Sequence, residues 1–320
     1  MKKSEMLQEY LENFSFNDDT IDSMFRYATE GGQKIRSQIL LLSCEAVGGD
    51  PTKTLPAATA IELMHKFTLV HDDMVDKDEL RRGKLSFHAK YSEDYAIFLG
   101  DFICSESFDL LKKLPKQDSD KALACYDILS DAFYKLCLGE VTDVHSPKFM
   151  TEGEYLELIY LKSAALIEAA GKMGALLGGG SGKESQMLAD FGKNFALAMQ
   201  ILNDVKDTLE TEKRKISKKS SDVQEGKWNI LLINAFEKTS YYNKKELLRI
   251  MNKKVKTDKD VKTVQRMVRD TKSAGYARNL AKLHFDRARK EIGPLKESKA
   301  KESLLKLSDI DIDETYWKGK

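Results

Sequence analysis

Apolar residues recur at helical spacing along nearly the whole chain, and only five of its 320 residues are prolines. The segments between the prolines are rich in Ala, Leu, Glu and Lys, and their apolar positions follow the i, i+3, i+4 pattern of amphipathic helices. Strand-type alternation does not persist beyond a few residues, and dipeptides typical of tight hairpins are nearly absent. The sequence therefore predicts an all-α protein built from long helices.

Composition narrows the class of protein further. The hydrophobic content of 42% is ample for a large core, and no linker or composition break divides the chain, so we expect a single domain over residues 1–320. A net charge of +1 gives no indication of nucleic acid binding. No signal peptide and no apolar stretch of about 18 residues, as a membrane span requires, can be found. The four cysteines lack CxxC spacing, and we expect them to be buried free thiols in a reducing cytoplasm.

An apolar stretch over residues 61–88 carries aspartates in its middle. In a helix, Asp72 and Asp76 lie one turn apart on one face, where like charges repel by roughly 0.2–0.5 kcal/mol. A cation would remove this repulsion, and Mg²⁺ is commonly held by one or two carboxylates together with substrate phosphates. Arg81 and Arg82 follow closely, and guanidinium groups bind phosphate oxygens bidentately. The stretch therefore indicates a metal and diphosphate site, with a solvated acidic helix end as the alternative.

A second group of oxygen-bearing side chains lies near the end of residues 191–207. Asn203 and Asp207 are four residues apart and Asp204 and Asp207 three, so they face one way from an otherwise apolar helix. Two such helices facing each other would form a cage suited to a diphosphate bridged by Mg²⁺. Basic residues that could complete the cage occur in three short segments: GGQKIRS at 31–37, KSAA at 162–165 and DVQEGKWN at 222–229. Taken alone, Lys162 would fit a surface lysine equally well.

The order of these motifs is characteristic. Along the chain they read GGQKIR, HKFTLVHDDMVDKDELRRG, LGDF at 99–102, LKS, the block from Gln200 to Asp207, and DVQEGK. In this order the chain resembles the trans-isoprenyl diphosphate synthases, also called polyprenyl synthetases, and most of all their archaeal geranylgeranyl and farnesyl branch. The resemblance implies a bundle of long antiparallel helices around a deep central cavity, the isoprenoid synthase fold. It also implies a cytoplasmic enzyme, usually a homodimer.

The resemblance implies a reaction as well. A Mg²⁺-dependent prenyltransferase of this family condenses isopentenyl diphosphate with an allylic diphosphate. Neutralising the allylic diphosphate makes it a leaving group, and the isopentenyl double bond attacks the resulting carbocation before a proton is lost. The released diphosphate is the expected proton acceptor, so no protein base is needed.

Individual roles follow from the matching motif positions. The catalytic set is Asp72, Asp76, Lys162 and Gln200. The Mg²⁺ ligands are Asp72, Asp76, Asn203, Asp204 and Asp207, with Asp73 supporting the first two. The allylic diphosphate is bound by Arg81, Lys162 and Lys227, with Lys218 as a further candidate. Isopentenyl diphosphate carries no metal in this family and is bound by Gln33, Arg36, His65 and Arg82.

Two positions depart from the family pattern. The family usually has lysine at the position of Gln33 and aspartate at that of Asn203. Gln33 can hydrogen-bond a phosphate but does not offset its charge, although the adjacent Lys34 could swing in. Asn203 offers a carbonyl oxygen without charge, so we expect weaker metal binding there. The loop at 211–221 lacks the family's usual glycine-lysine pair, which weakens the case for Lys218.

The expected product length rests on the helix that bears Asp72. Phe67 lies five residues earlier, about 7.5 Å along the helix axis, where its ring would act as a floor for the growing prenyl chain. Thr68 beside it is small, and this pairing resembles family members that stop near C20, with C15 and C25 as alternatives. Met64, one turn further back, is flexible enough for some longer product. The alternative is that Phe67 is an ordinary core residue.

Two other functions remain compatible with the sequence. A weakly active or non-catalytic subunit of a heteromeric synthase would fold in the same way. A terpene cyclase shares the metal-assisted ionisation, but Arg36 and the arginine pair at 81–82 would serve a second diphosphate that a cyclase does not use.

Overall fold

The computed structural model describes residues 3–12, 14–115, 119–144, 149–209 and 222–309, and helices make up nearly all of its regular structure. The predicted all-α class is confirmed. The first eight helices are α1 (Lys3–Glu12), α2 (Asp19–Thr29), α3 (Ile35–Ala46), α4 (Leu55–Val75), α5 (Phe87–Lys90), α6 (Glu93–Asp109), α7 (Ser119–Val144) and α8 (Glu152–Ile159). The others are α9 (Ala165–Leu177), α10 (Gly182–Leu209), α11 (Asp222–Glu225), α12 (Ile230–Lys238), α13 (Tyr241–Met251), α14 (Asp258–Asp270), α15 (Ser273–Glu291) and α16 (Lys299–Leu307).

Short elements join or interrupt these helices. Two 3₁₀ turns cover Pro51–Thr54 and Leu110–Lys113, and a π-helical turn, Tyr160–Ala164, connects α8 to α9. A small antiparallel hairpin pairs β1 (Leu80–Arg81) with β2 (Lys84–Leu85). The glycine run at 178–182 follows α9 and leads into α10.

The chain forms two compact units. The first comprises residues 1–134, 165–193 and 289–308, and the second comprises 135–164, 194–288 and 309–320. The single domain over residues 1–320 therefore stays a prediction.

The first unit is built on the long helix α4, which packs against α3 and α6, and α3 packs in turn against α9. Gly174 of α9 allows this last contact, because a Cβ there would lie 2.2 Å from the carbonyl oxygen of Leu40. In the second unit, the rings of Phe195 and Phe285 pack with centroids 5.9 Å apart.

Two further expectations can be compared with the fold. None of the helices in the described ranges combines the length and apolarity needed to cross a bilayer. The cysteines are free thiols, but only Cys44 and Cys125 are buried, whereas Cys104 is half-buried and Cys137 is exposed. Burial raises the pKa of the Cys44 thiol to about 11 and that of Cys125 to about 12.

Candidate active site

The first acidic motif lies at the C-terminal end of α4, in the first unit. Asp72 is in the last turn and Asp76 caps the helix, and the Asp76 backbone N–H donates to the Asp72 carbonyl at 2.8 Å. The two residues are therefore one turn apart, as predicted. Negative charge at a helix C-terminus opposes the helix dipole, at a cost of about 0.3–1 kcal/mol per group. A bound cation would offset both this cost and the mutual repulsion.

Asp73, between these two aspartates, has a different environment. Its carboxylate is only 3% exposed, and its two oxygens accept hydrogen bonds from Nε and Nη2 of Arg81. This bidentate ion pair ties β1 to the end of α4 and neutralises the buried charge. Arg81 therefore already has an acidic partner in this structure, and the support of Asp72 and Asp76 by Asp73 stays a prediction.

Arg82 lies in the turn of the hairpin. The pairs Leu80 with Leu85 and Arg81 with Lys84 leave a two-residue loop, in which Arg82 (φ 53°) and Gly83 (φ 79°) both have positive φ. Two positive φ values are typical of a type I′ turn, and a non-glycine residue in this conformation costs on the order of 1 kcal/mol. Sequence reasoning missed this hairpin because Arg-Gly is not among the usual turn dipeptides.

The guanidinium group of Arg82 lies against the glycine pair that precedes Gln33. Gly32 has a φ of 88°, which favours glycine, and a Cβ there would come within 2.6 Å of Arg82 Nη1 and push the end of the arginine side chain aside. Gln33 itself is exposed, and its carbonyl accepts a hydrogen bond from Gln38. Lys34, which we expected to swing toward phosphate, is buried and donates to the side-chain oxygen of Gln8 at 2.6 Å.

Arg36 and His65, two other predicted isopentenyl-binding residues, are close enough for the charge of Arg36 to affect the pKa of His65. Arg36 has a buried Nε without a hydrogen-bond partner among the described residues, and burial lowers its pKa to about 10. Burial, together with the positive charge of Arg36, holds the pKa of His65 well below its usual value. At neutral pH Arg36 is therefore charged, and His65 is a neutral hydrogen-bonding group.

The second acidic motif lies on α10, in the second unit. Asn203 is exposed and Asp207 is half-buried, whereas Asp204 is only 6% exposed. The carboxylate of Asp204 accepts hydrogen bonds from the Tyr155 hydroxyl at 2.6 Å and from Gln200 Nε2 at 2.9 Å. Burial, and after it the negative charge of nearby residues, raises the pKa of Asp204 to about 8. The buried site therefore disfavours the charged form of the Asp204 carboxyl group.

The predicted phosphate-binding lysines of this unit share one acidic residue. Lys162 Nζ lies 2.6 Å from Asp143 and 2.9 Å from Glu140, and Lys227 Nζ lies 2.9 Å from Glu225 and 3.8 Å from Asp143. Each lysine therefore forms ion pairs with two acidic residues, and Asp143 is common to both. Sequence analysis did not identify Asp143, because nothing in the amino-acid sequence of α7 distinguishes it from a surface aspartate.

Lys162 lies in the π-helical turn, a local structure that often occurs at functional sites. Gly139 of α7 allows the close approach to this turn, because a Cβ there would come within 2.8 Å of the Lys162 backbone nitrogen. The neighbouring Ser163 hydroxyl donates to Gln200 Oε1 at 3.3 Å. Lys162 and Gln200 thus belong to one hydrogen-bonded region. Lys218 lies outside the described residues.

The expected chain-length residues lie on α4. Phe67 is half-buried, with its ring centroid 5.8 Å from that of Phe133 and 4.7 Å from that of His71. The Thr68 hydroxyl donates to a backbone carbonyl one turn back, and Met64 is fully buried. Phe133, on α7, was not identified from the sequence, but its edge-to-face contact makes it a second candidate for a floor.

The carboxylates of the two motifs suit a hard cation, which prefers oxygen ligands. Within the described ranges, no three His, Cys, Asp or Glu residues come together as a complete metal site. Asp72 and Asp76 instead provide a pair, and the exposed amide of Asn203 provides a neutral oxygen. Such sets fit a metal that takes its remaining ligands from a bound diphosphate and from water.

Comparison with known proteins gives consistent matches. The family model described as polyprenyl synthetase matches residues 18–268. A geranylgeranyl diphosphate synthase of Methanosarcina mazei is 35% identical, over 91% of this chain and 89% of its own. A short chain isoprenyl diphosphate synthase of Methanothermobacter thermautotrophicus is 36% identical, over 98% and 97%. The crystal structure of a geranylgeranyl pyrophosphate synthetase from Pyrococcus horikoshii Ot3 superposes with a TM-score of 0.87 at 30% identity, covering 98% of this chain and 96% of that one.

Proposed function

This chain belongs to the polyprenyl synthetase family and is a trans-prenyltransferase, and on that basis we propose that it makes a short-chain all-trans prenyl diphosphate from isopentenyl diphosphate and an allylic diphosphate. The observation that carries the proposal is the end of α4. There Asp72 and Asp76 are stacked one turn apart, and the Asp73–Arg81 pair fixes the adjacent hairpin. The short-chain names of the archaeal relatives support the product class.

The metal is proposed to be Mg²⁺. The residues that would hold it are Asp72 and Asp76 of the first motif and Asn203, Asp204 and Asp207 of the second. When bound, it would neutralise the allylic diphosphate and so make it a better leaving group. Asp204 would also position Gln200, whose Nε2 donates to its carboxylate at 2.9 Å.

The lysines of the second unit are proposed to bind the allylic diphosphate. Asp143 lies 2.6 Å from Lys162 Nζ and 3.8 Å from Lys227 Nζ. When the substrate binds, each lysine would give up part of its pairing with Asp143 and bind phosphate oxygens instead. Lys162 and Gln200 would then lie near the reacting carbon, as the family resemblance implies.

The product length is proposed to be about twenty carbons. Support comes from the position of Phe67, five residues before Asp72 on α4, and from the contact of its ring with that of Phe133. Reversed-phase chromatography of the dephosphorylated products, with dimethylallyl, geranyl and farnesyl diphosphate as primers, tests this proposal. A main product of C20 is expected, and a main product longer than C25 would contradict it.

We also propose a homodimer. Exposed apolar side chains concentrate on two helices of the first unit, with Tyr95 and Phe98 on α6 and Leu123 and Tyr134 on α7. Exposed patches of this kind commonly mark protein interfaces. Light scattering of the purified chain should give twice the monomer mass.

A partner-subunit function remains the second candidate because Asn203 removes a charge from the second motif, and activity that appears only with an added synthase would establish it.

A further inference from the structure

Positive charge is concentrated in one segment of the second unit, residues 241–272, which comprises α13, α14 and the loop between them. The segment contains eleven basic and four acidic residues and so has a net charge of +7. Because the whole chain has a net charge of only +1, the rest of it has a net charge of −6. Such an asymmetry is typical of a surface that binds an anionic partner.

The outward face of α14 carries most of the unpaired charge. Between the aspartates at its two ends, every exposed residue of this helix is basic: Lys259, Lys262, Arg266 and Arg269. Their spacing of three, four and three residues places them in one row along the helix, about 15 Å long. The valines and the methionine of α14 are buried on its other side. None of the four cations forms an ion pair with a residue that the structure describes.

This row of cations is unfavourable for the isolated helix. Like charges three or four residues apart on a helix repel each other, and each neighbouring pair in the row has this spacing. Lys259 lies in the first turn, where a positive charge also opposes the helix dipole. The capping box between Thr257 and Asp260 stabilises the start of the helix but pairs with none of the row. An anionic partner would remove a repulsion that folding leaves in place.

The neighbouring helix α13 adds exposed aromatic side chains. Tyr241 and Tyr242 are 73% and 78% exposed, and Lys245 Nζ lies 4.5 Å from the centroid of the Tyr241 ring. Val255, in the loop between the helices, is 79% exposed. The two helices pack against each other and both pack against α12, so their outward faces lie on the same side of the unit. Tyrosine has an apolar ring with a polar end and is therefore suited to the boundary between lipid and water.

We propose that the outward faces of α13 and α14 bind an anionic membrane surface. The cations of α14 pair with lipid phosphates, and Tyr241, Tyr242 and Val255 contact the layer of headgroups. The apolar side of α14 is part of the folded core, so the protein binds the bilayer with its folded surface and inserts no helix. A prenyl diphosphate is itself an amphiphile, and binding of this kind would release the product beside a bilayer.

Sedimentation of the full chain with lipid vesicles tests this proposal. One set of vesicles is phosphatidylcholine alone, and the other is equal parts phosphatidylcholine and phosphatidylglycerol. At physiological ionic strength we expect the protein to bind only the anionic vesicles. It should be released at about 1 M salt, where charges are screened over about 3 Å.

A pair of double variants separates this surface from overall charge. Lys262→Gln with Arg266→Gln should weaken binding to the anionic vesicles about tenfold to thirtyfold, because each cation near such a surface contributes to binding. Lys282→Gln with Arg287→Gln is the matched control, since it removes one exposed lysine and one exposed arginine from α15 of the same unit. The control should bind as the wild type does. Lys262→Arg with Arg266→Lys keeps both charges and should retain binding.

Several results would overturn the proposal. They are no binding to anionic vesicles, equal binding to neutral vesicles, and an equal loss of binding in the α14 variant and the α15 control. Tighter binding to a DNA duplex than to the vesicles would overturn it as well, because the surface would then serve a nucleic acid. Vesicle binding is measured without substrates, so it supports the proposal even if the chain forms no product. An active chain that binds no vesicles overturns the proposal and leaves the proposed function in place.

Discussion

Replacing Lys66 with methionine should stabilise the protein at neutral pH, and the gain should shrink as pH rises. Burial lowers the pKa of the Lys66 ammonium group from 10.5 to about 8. This pKa already includes the charge of Glu62, which raises it, and the charges of Arg82 and Lys34, which lower it. The folded protein therefore holds this proton less tightly than the unfolded chain does.

The sign and size of the effect follow from proton linkage. Below pH 8 Lys66 is protonated in both states, so the folded protein carries the whole cost of burying the charge, on the order of 3 kcal/mol for this pKa difference. Between the folded and unfolded pKa values the folded state loses the proton first, and the wild type gains stability with rising pH. From pH 7 to about pH 9.5, the advantage of Lys66→Met should fall by about 2 kcal/mol.

Urea unfolding followed by circular dichroism, at a series of pH values, measures this difference. Methionine also loses the hydrogen bonds to the carbonyls of Glu30 and Gly31. That loss is independent of pH, so it shifts the stability difference between variant and wild type by a constant amount and does not change how the difference varies with pH. Lys53→Met serves as the control, because Lys53 is an exposed lysine of the same unit, and should show no pH-dependent difference from the wild type. A difference between Lys66→Met and the wild type that stays constant over this pH range would refute the reasoning.

Three further substitutions test other parts of the site. Asp72→Ala should abolish turnover without lowering the melting temperature, because it removes repulsion at the end of α4, and a large stability loss in the metal-free protein would show that Asp72 belongs to the core. Asn203→Asp should lower the Mg²⁺ concentration for half-maximal rate, and an unchanged or higher requirement would mean that the site has adapted to asparagine. Phe67→Ala should lengthen the product by at least one isoprene unit with little change in initial rate, and an identical product distribution by reversed-phase chromatography would show that Phe67 is not the floor.

The sequence was sufficient to predict the helical class and the family, because both depend on patterns that are local in the chain. Helical periodicity and the spacing of Asp72 and Asp76 are properties of one helix, so they follow directly from the order of residues. The one-turn spacing of Asp72 and Asp76 at the end of α4 agrees with this expectation, whereas the pairing of Asp73 with Arg81 was not predicted.

Features that depend on contacts between distant segments could not be predicted. Asp143 gains its importance only because α7 brings it to Lys162, and Lys66 only because its ammonium group reaches carbonyls some 35 residues earlier. The type I′ turn at Arg82 runs against local preference, so turn statistics could not identify it. The bond between Lys34 and Gln8 likewise depends on packing between α1 and the start of α3.

Prenyl transfer itself is tested most directly by incubating the purified chain alone with radiolabelled isopentenyl diphosphate and an allylic primer. The measured quantity is the initial rate at which label enters an extractable prenyl product, with Mg²⁺ present and with a chelator in its place. We predict steady incorporation with Mg²⁺ that stops in the chelator and returns when Mg²⁺ is restored. If no label is extracted with dimethylallyl, geranyl or farnesyl diphosphate in the presence of Mg²⁺, the chain alone does not carry out the reaction proposed for it.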